Sequence, residues 1–350
     1  MKGRQINVAV IGAGAIGANH IQGFQRHPSA RVAAVADTSA ERAREACEKF
    51  NIPEAVADYR RLLEREDIAA VSIALPNYLH APVSLEALAA GKHVMLDKPF
   101  ATNARDAAKV VEAARRSKKV FMVGQNQRFA PERQALKRMV EAGRLGEIYF
   151  AEAFWLRRSG IPRMGSWFTQ KRYAGGGCTY DIGVHELDLC LHLIGDFDAA
   201  AVSGQVYTKF GNRGLGEGGW GKSEVDRKAE FDVEDFSAAL IKMKSGRAVI
   251  LRASWAGHMP ASSADGVVLY GTKAGACTKP PQIFRPGKPE YRIEDIRPGR
   301  LTVPTCRMFH FIDCVLGKAR PYVKPEESLQ VQRILDAIYK SSQTGREVRL

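Results

Sequence analysis

The sequence predicts an α/β protein: an amino-terminal doubly wound parallel sheet, then an α+β domain built on a large open mixed or antiparallel sheet. Three observations carry this. Six short β-rich runs recur through the first 125 residues with helical stretches between most of them. The chain leaves the first run through VIGAGAIGANH. After Arg128 the runs lengthen and cease to alternate regularly with helices, a change of pattern that marks a change of architecture. With 350 residues there is room for two domains with separate cores, and we place them at 1–126 and 127–350, the last helix being free to pack back on the first domain.

The six runs are INVAVIGA, RVAAVAD, EAVADY, AAVSIAL, HVMLDK and KVFMVG, and helical periodicity covers Ser39–Phe50, Ala81–Ala90 and Ala104–Ser117. Strands joined by helices of this length form right-handed crossovers over a parallel sheet covered on both faces. In the second part PERQALKRMVEAG reads as a helix with a glycine stop, and IYFAEAFWL, AAVSGQVY, FSAALIKMK and RAVILRASWAG as strands, the last two forming a hairpin through Ser-Gly. The glycine-rich stretch over 211–228 reads as an exposed loop or lid, with disorder as the alternative.

Composition narrows the function. Hydrophobic residues make up 45% and charged residues 26%, as in soluble globular proteins, and no apolar run reaches the length of about 18 residues that a membrane span needs. The start lacks the apolar core of a secretory signal, and the six cysteines are scattered without a C-x-x-C pair, so the expectation is a cytoplasmic protein with reduced thiols and no metal. The net charge of +14 is spread over both parts without a basic run or a nucleic-acid motif, so no nucleic-acid partner is expected.

The chemistry begins with Gly12, Gly14 and Gly17, a G-x-G-x-x-G that ends a strand and opens a helix. The first glycine permits the tight turn, the second lets a pyrophosphate approach backbone at Ala15 and Ile16, and the third lets helix and strand pack closely. Asp37, at the end of the second strand, is placed to accept hydrogen bonds from an adenosine ribose, and because no arginine follows it directly, NAD is favoured over NADP. It could equally cap the next helix. Pro76 and Asn77 stop the fourth strand, and His80 follows either as a cofactor contact or as a surface histidine. Lys98 ends the fifth strand, where it either meets substrate and nicotinamide or simply pairs with Asp97. In the second part GGGCTYDIGVHELD sets Asp181, His185 and Asp188 on one face of a helix beginning near Asp181, a spacing suited to a carboxylate-supported proton acceptor. The additional ligands a metal would require are not evident.

In order along the chain, VIGAGAIGANH, PNYLH, D-K-P at 97–99, VGQNQRFAP, DIGVHELD and AIYKSSQTGREVRL resemble the Gfo/Idh/MocA oxidoreductases, the family of glucose–fructose oxidoreductase and inositol dehydrogenase. The resemblance spans nearly the whole chain. It implies that Lys98 contacts substrate and nicotinamide, with Asp97 standing where the family usually has glutamate, and that the Lys98–Pro99 bond is cis. It implies that Pro76, Asn77 and His80 line the nicotinamide ribose, and it adds Gln125 as a cofactor contact and Arg128 as a substrate contact. It makes His185 the general acid/base, Asp181 its partner and substrate contact, and Asp188 a support behind His185. It implies an open second sheet whose free face serves subunit contacts in a homodimer or homotetramer.

The expected reaction is hydride transfer between nicotinamide and a secondary hydroxyl, or the corresponding ketone, of a sugar, glycoside or inositol. Residues 154–173 carry five cations, five aromatics and no acid, a combination suited to a polyol or sugar, including one that bears a carboxylate or phosphate, with an exposed basic loop or subunit contact as the alternative. Arg163 and Trp167 are its leading substrate contacts. Two other readings remain open: a glycoside-cleaving enzyme that retains NAD and oxidises C3 transiently, and a non-catalytic sugar or dinucleotide sensor.

Overall fold

The structure, a computed structural model, describes residues 5–219, 223–226 and 228–350. Residues 1–4 of the amino-terminal segment, and positions 220–222 and 227 of the glycine-rich stretch, lie outside the described residues. The chain divides into two compact units, one containing 5–125 and 306–329, the other 126–219, 224–305 and 330–350.

The first unit runs β1 (Ile6–Ile11), α1 (Ala15–Gln25), β2 (Ala30–Ala36), α2 (Ala40–Phe50), β3 (Ala55–Val56), α3 (Arg60–Leu63), β4 (Ala70–Ile73), α4 (His80–Ala89), β5 (His93–Leu96), α5 (Ala104–Ser117) and β6 (Phe121–Val123). The six strands form a sheet in the order β3-β2-β1-β4-β5-β6, and every pairing is parallel. Successive residues Val8, Ala9 and Val10 are wholly buried, as expected of a strand covered on both faces. Strand order reverses between β1 and β4, so the carboxyl ends there open where ligands bind in such sheets. Local chemistry sets the helix starts: Ser39 Oγ accepts from Arg42 N, and Asn103 Oδ1 accepts from Asp106 N at 2.9 Å.

The second unit runs α6 (Pro131–Glu141), β7 (Ile148–Arg157), α7 (Lys171–Ala174), α8 (Val184–Ile194), β8 (Ala199–Tyr207), β9 (Phe236–Met243), β10 (Ala248–Ser254), β11 (Ser263–Gly271), β12 (Gly275–Thr278), β13 (Pro281–Arg285) and β14 (Arg292–Asp295). Then α9 (Arg307–Val315) returns to the first unit, and α10 (Pro325–Thr344) and β15 (Val348–Arg349) follow. The sheet has nine strands in the order β14-β13-β12-β11-β7-β10-β9-β8-β15. It is antiparallel except at β7–β10. Alternation along β10 turns Val249, Leu251 and Ala253, all at 0% exposure, away from solvent. Val249 and Leu251 join a core with Leu187, Leu191 and Ile334. On the opposite face Tyr207, Leu240 and Tyr270 are exposed, beside a polar group in which Arg252 pairs with Glu152 at 3.3 Å and Tyr270 donates to Glu152 at 2.9 Å.

The structure corrects the sequence-based expectation in one place. The segment that rejoins the first unit is 306–329, whereas α10 stays mostly with the second. The reason is packing: Phe311 of α9 meets Phe24 of α1 edge-on at 6.2 Å, and Met308 fills the space left by Gly23. The glycine-rich stretch, as far as it is described, is tied down. Gly160 N and Ile161 N donate to Gly216 O, and Met164 N donates to Glu217 Oε1, while the Asp235 carboxylate receives the N–H groups of Lys209, Phe210 and Gly211.

Candidate active site

In the first unit the glycine turn is shaped by steric necessity. Gly12 has φ +104°, and a Cβ there would lie 2.2 Å from Ala74 O; one on Gly17 would lie 1.9 Å from Gly12 O. A Cβ on Gly14 would meet nothing within 4 Å, so the backbone at Gly14, Ala15 and Ile16 stands open, and all three residues are exposed at the start of α1. That is the cradle a dinucleotide pyrophosphate requires. Asp37 closes the turn: its Oδ2 accepts from Ala13 N at 2.9 Å and its Oδ1 from Ser39 N at 2.9 Å. Arg42, which the sequence reading passed over, sits on the same carboxylate at 3.0 Å. At the end of β6, Gln125 is 2% exposed and its Oε1 is buried without a hydrogen-bond partner. A buried amide oxygen with an unmet acceptor fits a ligand bearing N–H groups, such as a carboxamide.

Lys98 is half-buried beyond β5, and its peptide bond to Pro99 is cis. The residues on either side of it are clamped. Asp97, 7% exposed, has Oδ1 3.3 Å from Arg307 Nη2 and 3.4 Å from His20 Nε2. Burial alone would raise this carboxyl, but its polar surroundings prevail and hold it well below the carboxylate range. Pro99 O lies 2.6 Å from His80 Nδ1, and Leu75 O lies 2.8 Å from His80 Nε2. His80 is therefore not the surface histidine that one reading allowed. At 1% exposure, it lies between the ends of β4 and β5 with both nitrogens turned to backbone carbonyls; burial lowers its pKa, so the neutral ring donates to one of the two. Pro76 is half-buried and Asn77 buried in the turn before it.

In the second unit the turn before α8 is fixed from beneath. Glu234 receives Gly177 N at 2.8 Å and Thr179 N at 2.9 Å. A Cβ on Gly177 would lie 2.0 Å from Glu234 O and one on Gly176 2.0 Å from Tyr339 Oη, so the glycine run is a condition of this close approach. A π-turn over Thr179–Gly183 precedes α8, where the sequence reading continued one regular helix from Asp181. Asp181 is buried on this turn, and its Oδ2 accepts from Trp255 Nε1 at 2.9 Å. His185, half-buried in the first turn of α8, has the Trp155 ring 5.7 Å away, and the Arg157 guanidinium lies over that same ring at 4.9 Å. Asp188 follows on α8. It and Arg128 are both at 0% exposure and joined by two hydrogen bonds, of 2.8 and 2.6 Å, so Arg128, expected at the substrate, is a buried structural ion.

Of the substrate candidates, Arg163 is exposed and Trp167 half-buried, stacked on Phe168 at 3.8 Å. The ring that stands beside His185 is Trp155. Trp155, Trp255, Glu234 and Arg307 were missed by sequence reasoning, and only the first could have been found there, as an aromatic of the 154–173 segment. Among the described residues, no group of three or more His, Cys, Asp or Glu side chains could hold a metal ion, and no helix is long and apolar enough to cross a membrane.

Comparison with known proteins agrees with this geometry. Residues 6–125 match the model of the oxidoreductase family with NAD-binding Rossmann fold, and 133–277 match the GFO/IDH/MocA C-terminal domain. D-glucoside 3-dehydrogenase of Escherichia coli (strain K12) is 32% identical, with 100% of this chain and 99% of the relative covered. Inositol 2-dehydrogenase of Gluconacetobacter diazotrophicus is 33% identical, with 57% of each covered. The solved levoglucosan dehydrogenase in complex with NADH and levoglucosan superposes with a TM-score of 0.86 at 23% identity, over 99% of both chains.

A buried carboxyl next to His185 gives the second unit a pH signature. Glu186 is at 0% exposure; its Oε1 is 3.5 Å from Gln127 Nε2 and its Oε2 has no hydrogen-bond partner. Burial raises its pKa to about 7, against the opposing pull of Arg133. The folded state thus holds a proton that the unfolded chain releases from about pH 4.5 upward, so this group costs stability increasingly as pH rises to about 7 and costs it in full above. Glu186→Gln should therefore gain on the order of 2 kcal/mol over the wild type between pH 4.5 and pH 8 in denaturant unfolding; a difference that does not change with pH would contradict the assignment.

Proposed function

Because the chain belongs to the Gfo/Idh/MocA oxidoreductase family, we propose that it is an NAD-dependent dehydrogenase of a secondary ring hydroxyl on a sugar, with glycosides oxidised at C3 as the substrate class. The observation that carries this is the Asp181–His185 turn, anchored by Glu234 and Trp255 and faced by the Trp155 ring. The substrate class is supported by the name of the Escherichia coli relative, which aligns over the whole chain; the inositol relative supports a cyclitol as the second class to test.

NAD, when bound, supplies the hydride acceptor. Gly12, Gly14 and Gly17 with the start of α1 would hold its pyrophosphate, Asp37 its adenosine ribose, and Gln125 Oε1 its carboxamide N–H. His185 takes the proton of the reacting hydroxyl, and Asp181, its carboxylate fixed by the Trp255 N–H, supports the charge that His185 gains. Lys98, as the family resemblance implies, would donate a hydrogen bond to a substrate oxygen and stabilise charge developing on it. Trp155 offers the apolar ring face against which a pyranose stacks, and Arg157, Arg163 and Trp167 set preference further out.

The test is a panel of glycosides, free sugars, sugar acids, sugar phosphates and inositols with NAD or NADP, following NADH absorbance and product mass together. NADH should form with at least one glycoside, and Lys98→Ala and His185→Ala should each lower kcat by about 100-fold or more, since general acid–base and electrostatic contributions are of this size. Cleaved glycoside without net NADH would replace this reading with redox-cycling cleavage.

We also propose that the free face of the second sheet, with Tyr207, Leu240 and Tyr270 exposed upon it, joins copies of this chain into a homodimer or homotetramer. Large hydrophobic side chains exposed together on one sheet face, with the Arg252–Glu152 pair among them, suit a partly polar interface. Light scattering should give a multiple of the 38.5 kDa chain mass and Leu240→Arg should reduce it; a wild-type monomer at micromolar concentration would overturn the proposal.

A further inference from the structure

The structure assigns Arg307, at the start of α9, as a positioning residue for Lys98 that acts through Asp97. Only its kinetic arm rests on the function proposed above. Arg307 Nη2 lies 3.3 Å from Asp97 Oδ1 and donates to His20 Nε2 at 3.0 Å. Because Nε2 accepts that bond, the His20 proton is on Nδ1, which donates to Ser72 Oγ at 2.7 Å. His20 is thus a neutral ring, in keeping with the burial that lowers its pKa. The 3.4 Å approach of its Nε2 to Asp97 then brings no charge, and within this cluster it is the Arg307 guanidinium that balances the Asp97 carboxylate.

The arrangement is poor as a purely structural bridge. Arg307 Nη2 serves both contacts while Nε is buried without a hydrogen-bond partner, a state that costs free energy and calls for a reason. Room for it exists because residue 124 is glycine: a Cβ there would stand 3.1 Å from Arg307 Nε and 3.3 Å from Asp97 Oδ1. Asp97 N is fixed to Ile73 O at 2.9 Å, and Pro99 O is held by His80. With the Asp97 side chain also held, the backbone on both sides of Lys98 is set, and with it the direction of the lysine.

The test uses the full chain and reads Lys98 directly. Labelling of Lys98 by acetic anhydride is timed by peptide mass spectrometry, with the exposed Lys118 as internal reference. Arg307→Gln should change the Lys98 rate at least threefold relative to Lys118, and Arg307→Lys, which keeps the charge, should stay within twofold of wild type. Gly124→Ala, which crowds the pair but removes no charge, should move the rate in the same direction as Arg307→Gln and covers the case in which that variant does not fold. With a sugar that yields NADH, Arg307→Gln should lower kcat at least tenfold while NADH Kd by fluorescence titration stays within threefold. An unchanged Lys98 rate in Arg307→Gln and Gly124→Ala, or an equal change in Arg307→Gln and Arg307→Lys, would overturn the assignment. A wild type that forms no NADH with any sugar sinks the function reading alone, since the labelling arm still decides this one.

Discussion

The carboxylate of Glu234 is the contact on which the geometry of the Asp181–His185 turn depends. It lies on the segment before β9 and takes two backbone N–H groups, Gly177 and Thr179, at the point where the chain enters the π-turn. Charge-assisted bonds of this type contribute roughly 1.5–3 kcal/mol each, enough to hold a wide turn against the regular helix that the following sequence prefers. Everything the site needs follows from that anchor. Asp181 is brought under the Trp255 N–H, and His185 starts α8 with its ring beside Trp155.

The first unit solves a matching problem with different means. A lysine at a strand end is mobile by nature, with four carbons of freedom and a compact charge. Here its neighbours are pinned: Asp97 by Arg307, Pro99 by His80. A site held by its surroundings loses less entropy when the reaction starts than one that must be assembled. The helix that supplies Arg307 is separated from Asp97 by more than 200 residues of sequence, and it is kept in place by ordinary packing of Phe311 and Met308 on α1.

What the sequence made legible follows from which interactions are local. Strand and helix periodicity, the glycine turn and the Asp181–His185 spacing depend on residues close together in the chain, and these placed the first sheet correctly, strand for strand. The π-turn was not legible because its cause, Glu234, lies over 50 residues away. The same holds for Arg128, which reads as a cation available to substrate until Asp188 is seen against it, and for His80, whose carbonyl partners come from two different strand ends. Strands β11 to β14 went unread because runs broken by Pro, Gly and Lys carry little alternation, and it is pairing that organises them, β11 on β7 and then each strand on the one before it.

The central claim is that a sugar carbinol hydrogen leaves as hydride while His185 takes the hydroxyl proton. The direct measurement is isotopic: a methyl glucoside carrying deuterium at C3 is incubated with the enzyme and NAD, and the nicotinamide product is examined by mass spectrometry and proton NMR. The account predicts one deuterium at C4 of the reduced nicotinamide, on a single face, and a 3-keto product of matching amount. Reduced cofactor formed without deuterium from a substrate labelled at every ring carbon in turn would contradict it.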